Sequence, residues 1–197
     1  MEAKQIILGL AVIVGVGVLA AAGLYLYTPT AEIPGPIFEE VEDYSFTTYS
    51  SEERGLMFDY PANYTLETHE QGNEERTWTQ LVLIDSELLQ QAIEQGHSEG
   101  PPAIAIQVFD NIEEYTVEEW IKGISYSNYK LAFDETLTQV MVGGEEGLAY
   151  RYSGLYETNA TVVAHDSRMY LLSVDWLTPQ DANIHDFDRI LESVIFY

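Results

Sequence analysis

Residues 96–100 read GHSEG, which matches G-x-S-x-G, the pattern around the nucleophilic serine of lipases and esterases. In those enzymes the serine lies on a sharp turn between a strand and the helix that follows it at once. Here a helical pattern comes before the motif, and Pro101 and Pro102 disfavour a helix that begins at Ser98. We therefore expect Ser98 to be a loop residue, and a serine hydrolase is the less favoured hypothesis. The histidines that such an enzyme could use are His165 and His185.

A second candidate site consists of Asp181, His185 and Asp188, which are side chains that could bind a metal ion. Their spacings of four and three residues would place all three on one face of a helix. Carboxylate oxygens and an imidazole nitrogen can together bind a divalent cation. A capping box between Thr178 and Asp181, with the other two side chains in solvent, explains the same pattern without a metal. We therefore expect no metal site, no catalytic site and no cofactor, and a Ca²⁺-responsive protein is an alternative hypothesis.

The charge balance of the chain is strongly acidic, because 33 of its 197 residues are Asp or Glu, 8 are Lys or Arg, and the net charge is −25. Proteins that bind nucleic acid present clustered Lys and Arg to the phosphates, so this composition excludes nucleic acid as a partner. It also argues against docking on anionic lipid. The chain has no cysteine, which excludes disulfides and thiolate metal sites.

An uncharged, apolar run covers residues 6–27. As a helix it would extend about 33 Å at about 1.5 Å per residue, close to the ~30 Å hydrocarbon thickness of a bilayer. We interpret the run as an uncleaved transmembrane anchor, with the lipid bilayer as its partner. A cleaved signal peptide is the alternative, because the alanines of residues 20–22 suit a signal peptidase. Lys4 precedes the run and the next basic residue is Arg54, so the positive-inside rule predicts that residues 1–5 are cytoplasmic.

A proline-rich, acidic stretch follows at residues 28–43. Such segments are extended and semi-rigid, so we interpret this one as a linker that holds a domain of residues 44–197 away from the bilayer. Its carboxylates lack the regular spacing and the glycine turn of a Ca²⁺-binding loop. The predicted organisation is a single-pass protein of the cell membrane, with one extracytoplasmic domain behind the anchor and linker.

Three helices are predicted in this domain. SELLQQAIEQG indicates a helix with Ser86 as its N-cap and Gly96 at its C-terminal end. The apolar face of this helix consists of Leu88, Leu89, Ala92 and Ile93. TVEEWIKGI indicates a second helix, with a capping box of Thr116 and Glu119. The last helix begins after Thr178, with a proline at its first position, and buries Ile184, Phe187 and Leu191.

Apolar alternation predicts strands between and around the helices. The predicted strands are GLMFDYP (55–61), TQLVLID (79–85), PAIAIQVFD (102–110), four in succession at about 137–142, 147–154, 158–165 and 169–176, and a terminal SVIFY (193–197). The pair Gly143 and Gly144, the single Gly154, and the pair Asp166 and Ser167 fall between the successive strands, as antiparallel hairpins require. An antiparallel β-sheet meander covered by helices is an α+β domain.

The strand GLMFDYP, the glycine-turned meander and the ending FDRILESVIFY resemble the PsbP-like superfamily over about residues 44–197. This group includes the extrinsic PsbP subunit of photosystem II and DcrB-type bacterial envelope lipoproteins. The resemblance implies an α/β/α sandwich and a role in binding or assembly. This chain lacks the lipobox cysteine of the DcrB type, and no functional residue carries over.

These observations together predict a non-enzymatic, membrane-anchored, extracytoplasmic binding or assembly factor. Its expected partner is a membrane-associated or envelope protein. Two alternatives remain. A Ca²⁺-responsive envelope protein requires a cation site, and a hydrolase requires Ser98 as its nucleophile.

Overall fold

Ten strands and three α-helices follow one another in a computed structural model of the chain, which describes residues 45–72, 76–96 and 99–197. They are β1 (Phe46–Ser51), β2 (Leu56–Pro61), β3 (Tyr64–Gly72), β4 (Thr77–Asp85), α1 (Ser86–Gln95), β5 (Ile104–Asp110), α2 (Val117–Gly123), β6 (Thr138–Val142), β7 (Glu145–Ser153), β8 (Glu157–His165), β9 (Arg168–Trp176), α3 (Ala182–Ser193) and β10 (Ile195–Phe196). Two 3₁₀ turns, Ser125–Ser127 and Tyr129–Leu131, follow α2.

The predicted cytoplasmic N-terminus, the anchor and the linker all lie outside the described residues, and so does Ser98. In the part of the chain that the structure describes, no helix has both the length and the apolar character that crossing a bilayer requires.

Seven strands form one antiparallel sheet in the order β3-β4-β5-β9-β8-β7-β6. The predicted meander is confirmed, because β6, β7, β8 and β9 pair in succession. The turn from β6 to β7 consists of Gly143 and Gly144, with φ angles of +59° and +88°. Two consecutive positive φ angles characterise the tight hairpin turn that matches strand twist, and glycine adopts them without steric cost.

A second, three-stranded sheet has the order β1-β2-β10 and was not predicted. In this sheet Ile195 pairs with Met57, and Phe196 pairs with Leu56. A strand of two residues is too short to show a periodicity, and its partner lies at the opposite end of the domain sequence. The predicted terminal strand is confirmed, although its partner could not be inferred.

The first face of the large sheet packs against the small sheet and α3. Its core includes Phe58, Ile106, Leu172, Phe187 and Ile190, all buried. The predicted inward face of β5 is confirmed, since Ile104, Ile106 and Val108 all lie in this core.

The opposite face of the large sheet is covered by α2 and the 3₁₀ turns. The indole of Trp120 contacts Phe109, with ring centroids 5.1 Å apart, and Tyr150 and Leu171 lie in the same buried cluster. The capping box of Thr116 and Glu119 at the start of α2 is confirmed. The central strands of the large sheet are therefore buried on both faces, with α2 and the 3₁₀ turns on one side and α3 with the small sheet on the other.

Two predicted helix starts need correction. The N-cap of α1 is Asp85, whose Oδ1 accepts hydrogen bonds from the backbone N–H groups of Glu87 and Leu88 at 2.9 and 3.0 Å, and Ser86 is the first helical residue. The last helix begins at Ala182, not directly after Thr178. The carboxylate of Asp181 binds backbone N–H groups that precede it, which holds residues 177–181 in a turn before the helix.

Candidate functional site

A cleft of about 390 Å³ lies between α1 and the start of α3. Apolar and acidic side chains share its lining. Leu88 and Leu177 contribute the apolar surface, and the carboxylates come from Asp85, Glu87, Asp181 and Asp186.

Helix α1 forms one wall of the cleft and is well defined at both ends. Asp85 caps its N-terminus, and Gly96 ends it in the left-handed conformation with φ +65°. The predicted amphipathic pattern is present, yet no residue of this helix is buried. Leu88 is 43% exposed and Ile93 is 65% exposed. In the apolar face of α1, Leu89 and Ala92 are half-buried while Leu88 and Ile93 are exposed, so this helix buries less of its apolar face than an amphipathic helix normally does.

Asp186 forms the floor of the cleft and was missed by the sequence reasoning. It is only 5% exposed, and its Oδ2 accepts a hydrogen bond of 2.8 Å from the hydroxyl of Tyr64. Burial raises the pKa of Asp186 above its ordinary value, and the bond from Tyr64 and the charge of Arg189 oppose that rise. The available signal was its position four residues before the buried Ile190, which puts both on the inner face of α3.

Asp181 lies at the mouth of the cleft in a different environment. Its Oδ2 accepts hydrogen bonds from the backbone N–H groups of Leu177 at 2.7 Å and Thr178 at 3.1 Å, and its Oδ1 accepts one from the Thr178 hydroxyl. Burial is the largest influence on the pKa of Asp181 and raises it, but the bonds from Thr178 and Leu177 together lower the pKa below its ordinary value. Asp181 is therefore a structural acceptor.

The predicted cation candidate is not assembled. His185 and Asp188 are exposed on α3, while the carboxylate of Asp181 is held by the turn before that helix. No group of three His, Asp or Glu side chains that could hold a metal ion occurs among the described residues. The predicted capping box of Thr178 and Asp181 is half right, because Asp181 reaches back to the Thr178 N–H as predicted, but both residues precede the helix.

Polar groups in the cleft provide more acceptors than donors. The side-chain amide of Asn63 donates to Asp85 at 2.8 Å, and the hydroxyl of Tyr64 donates to Asp186. The amide of Asn183 donates to the carbonyl of Asp175, while its own Oδ1 is buried without a hydrogen-bond donor in the described structure. Each of these three residues thus donates to a partner within the protein, and the amide of Gln91 is a further donor in the lining. Four carboxylates outnumber the remaining donors, so the cleft suits an occupant that brings N–H groups.

Asp186 is buried and Asp181 is held by hydrogen bonds from the backbone. Neutralising each one should therefore change the pH dependence of stability in opposite directions. Because the pKa of Asp186 is higher in the folded chain, the wild type loses stability as pH rises from the unfolded-state value of about 3.9 through the folded value. Asp186→Asn should therefore gain stability relative to wild type as pH rises toward neutrality. For Asp181 the folded pKa is lowered, so its contribution is present above about pH 3.9 and is lost as pH falls. Asp181→Asn should lose stability relative to wild type as pH rises.

Urea unfolding of the wild type and both variants between acidic and neutral pH measures these differences. Each variant serves as the control of the other, because both lie on one cleft and make the same Asp→Asn change. Parallel pH profiles for the two variants would contradict the assigned environments.

The elements before and after Ser98 in the sequence occur in the predicted order. Helix α1 precedes the motif and β5 follows it, which is the reverse of a nucleophile elbow. Gly100 accepts a hydrogen bond of 2.6 Å from the Tyr156 hydroxyl, just before β8 begins. His165 lies at the opposite end of β8, roughly 27 Å along the strand from Glu157, and its Nδ1 contacts Glu145 Oε1 at 2.8 Å. His165 is thus not positioned to assist a residue near Gly100.

A second groove, of about 520 Å³, lies between the N-terminal turn of α2 and the strands β6 and β7. Its apolar lining includes Val117, Met141 and Leu148. Like the first cleft it is acidic, because Glu118 and Glu146 line it. The helix beside it, α2, differs from α1 in that it buries Trp120 and Ile121.

Comparison with solved structures identifies the fold. The chain is similar to the solution structure of cyanobacterial PsbP (CyanoP) from Synechocystis sp. PCC 6803, with a TM-score of 0.51 and 14% sequence identity over 80% of this chain and 96% of that protein. The chain therefore has a PsbP-like fold of antiparallel sheets and few helices, as the sequence resemblance implied. At this identity the similarity extends to the fold alone.

A crystal structure from Bacteroides thetaiotaomicron VPI-5482 aligns with a TM-score of 0.45 and 8% identity over 76% of this chain. The alignment spans 48% of that protein, about half its length. No family model and no curated protein matches the chain.

Proposed function

We propose that the chain is a membrane-anchored binding or assembly factor whose domain of residues 44–197 lies outside the cytosol. In this proposal residues 6–27 cross the bilayer, and residues 28–43 hold the domain above the membrane. The anchor confines the domain to the surface and so raises its effective concentration for partners in the same membrane. The partner is a membrane-associated or envelope protein.

The observation that carries the proposal is the exposed apolar side of α1. The helix is capped at both ends and amphipathic, and its Leu88 and Ile93 remain exposed while Leu89 and Ala92 are half-buried, so part of its apolar face is available to a partner. Large exposed apolar side chains grouped beside a cleft are typical of protein interaction sites. Leu177, which is 64% exposed, extends the apolar surface of α1 to the other side of the cleft.

Single-cysteine variants can test location and docking together, because the chain has no cysteine of its own. Ile93→Cys places the thiol on α1. Ile112→Cys places it at an equally apolar position that is 84% exposed and lies beyond the opposite end of β5. Ala3→Cys places it before the predicted anchor. The three variants are made in the full chain and studied in native membranes.

We expect a membrane-impermeant maleimide to label Ile112→Cys in intact cells or spheroplasts, and to label Ala3→Cys only after permeabilisation. A short thiol–amine crosslinker should then give a discrete adduct of higher mass from Ile93→Cys and none from Ile112→Cys. Labelling of Ala3→Cys in intact cells would contradict the orientation. Equal adducts from both isoleucine positions, or none from either, would contradict docking through α1.

A further inference from the structure

The chemistry of the cleft between α1 and α3 restricts what can dock there. Leu88 and Leu177 present apolar surface on the two sides of the opening, with 43% and 64% of each residue exposed. A volume of about 390 Å³ accommodates a few side chains and not a whole helix. The occupant should therefore insert apolar anchor side chains from a segment that lies across the cleft.

The charge around these leucines is negative. Four carboxylates line the cleft, from Asp85, Glu87, Asp181 and Asp186, and the lining contains no Lys or Arg. The donors of Asn63 and Tyr64 are already used on Asp85 and Asp186. An occupant with ammonium or guanidinium groups beside its apolar anchors would complement both the charge and the excess of acceptors.

A lipid surface fits this site poorly. Helices that lie on membranes carry Lys or Arg on their polar face, which attract anionic headgroups. No Lys or Arg occurs in α1, whose charged residues are Glu87 and Glu94. Together with the net charge of −25, this favours a protein segment over the membrane as the occupant.

We propose that the cleft between α1 and α3 binds a protein segment that carries apolar anchor side chains flanked by Lys or Arg. This inference rests on the proposed function, because it assigns the chemistry of the partner that docks at α1. The apolar anchors pack on Leu88 and Leu177, and the basic groups face the carboxylates at the rim. Binding weakens as salt rises, since the Debye length falls from about 10 Å at 0.1 M to about 3 Å at 1 M.

The probe is a helical peptide of about 14 residues, roughly four turns, built from Leu and Lys with the leucines on one face. A scrambled peptide of the same composition and a peptide with every Lys replaced by Glu are the peptide controls. Binding to the full-length protein in zwitterionic nanodiscs is measured by fluorescence anisotropy, with empty nanodiscs as the blank. The scrambled peptide reports the non-specific attraction of a basic peptide to a strongly acidic protein.

The apolar contribution is tested with two double variants that leave the net charge unchanged. Leu88→Gln with Leu177→Gln removes the anchors of the cleft. Ile112→Gln with Met141→Gln makes the same kind of change at two exposed positions on the opposite end of the large sheet. We expect the Kd of the amphipathic peptide to rise at least about tenfold in the cleft variant and to stay within about twofold of wild type in the control.

The charge contribution is tested with Glu87→Lys and Glu118→Lys. Each residue is an exposed glutamate in the first turn of a helix, of α1 and of α2, so both reversals disturb a helix dipole. Glu118→Lys also removes the ion pair of Glu118 with Lys122, so its effect on folding is the larger of the two. We expect Glu87→Lys to weaken peptide binding by about tenfold more than Glu118→Lys does. Circular dichroism verifies that every variant is folded.

Equal binding of the Lys and Glu peptides, or an unchanged Kd in the cleft variants, would overturn the proposal. A loss of binding in the Met141 or Glu118 variants alone would overturn it too, because it would move the site to the groove beside α2. If Ile93→Cys still yields its specific crosslink while the Leu–Lys peptide fails to bind, docking through α1 stands and only the basic, apolar chemistry of the partner is wrong.

Discussion

Replacing Trp120 with alanine is expected to lower the free energy of unfolding by about 3–5 kcal/mol. Trp120 is fully buried and joins α2 to the large sheet through its contact with Phe109. Alanine would leave a cavity that the rigid sheet beneath cannot fill. Since a folded domain is stable by only about 5–15 kcal/mol, this one change is expected to remove about a fifth or more of the total. Urea unfolding of the full chain in mild detergent measures the loss.

Trp120→Phe is the matched control. The indole N–H of Trp120 is buried with no hydrogen-bond acceptor in the described structure, so phenylalanine removes an unpaired donor while it keeps most of the ring. We expect this variant to lose less than about 1.5 kcal/mol. Similar losses for Trp120→Ala and Trp120→Phe would show that the ring does not hold α2 in place.

Gly143→Ala is expected to destabilise the domain by about 2–5 kcal/mol through two separate effects. The φ of +59° is unfavourable for a residue with a Cβ, at roughly 1–2 kcal/mol. The added Cβ would also lie 2.7 Å from Phe196 Cδ2 and 3.1 Å from the carbonyl oxygen of Val194, which should cost about 1–3 kcal/mol and displace β10. Thermal and urea unfolding measure the total.

Gly144→Ala separates the two effects. Gly144 also has a positive φ, of +88°, but a Cβ there would meet no atom within 4 Å. We therefore expect Gly144→Ala to show only the backbone cost. If the two variants lose the same stability, Phe196 is not packed against the turn as described.

Some elements could be predicted because short-range features of the sequence determine them. The helix α2 follows from a capping box and an apolar stripe within nine residues, and the hairpins from β6 to β9 follow from glycine and Asp turns. The α1 helix was also predicted, but Asp85 and Ser86 are both good caps in adjacent positions. Only the geometry shows that the Asp85 side chain accepts the bonds.

Features that depend on distant contacts could not be predicted in the same way. The small sheet requires β2 and β10 to meet from opposite ends of the domain sequence, and the buried Asp186 takes its hydrogen bond from Tyr64 of the distant strand β3. Periodicity also predicted which face of α1 is apolar without predicting what covers that face. The cleft combines these long-range features, so its residues were identified only in part, through Asp181.

The pairing of β10 with β2 has a consequence for biogenesis. Strand β2 stands near the start of the domain, yet β10 follows every other described strand and helix, so the small sheet cannot close until residues 195–196 have emerged. Pairings of such high contact order form slowly, which gives chaperones and proteases an interval in which to act on the nascent domain.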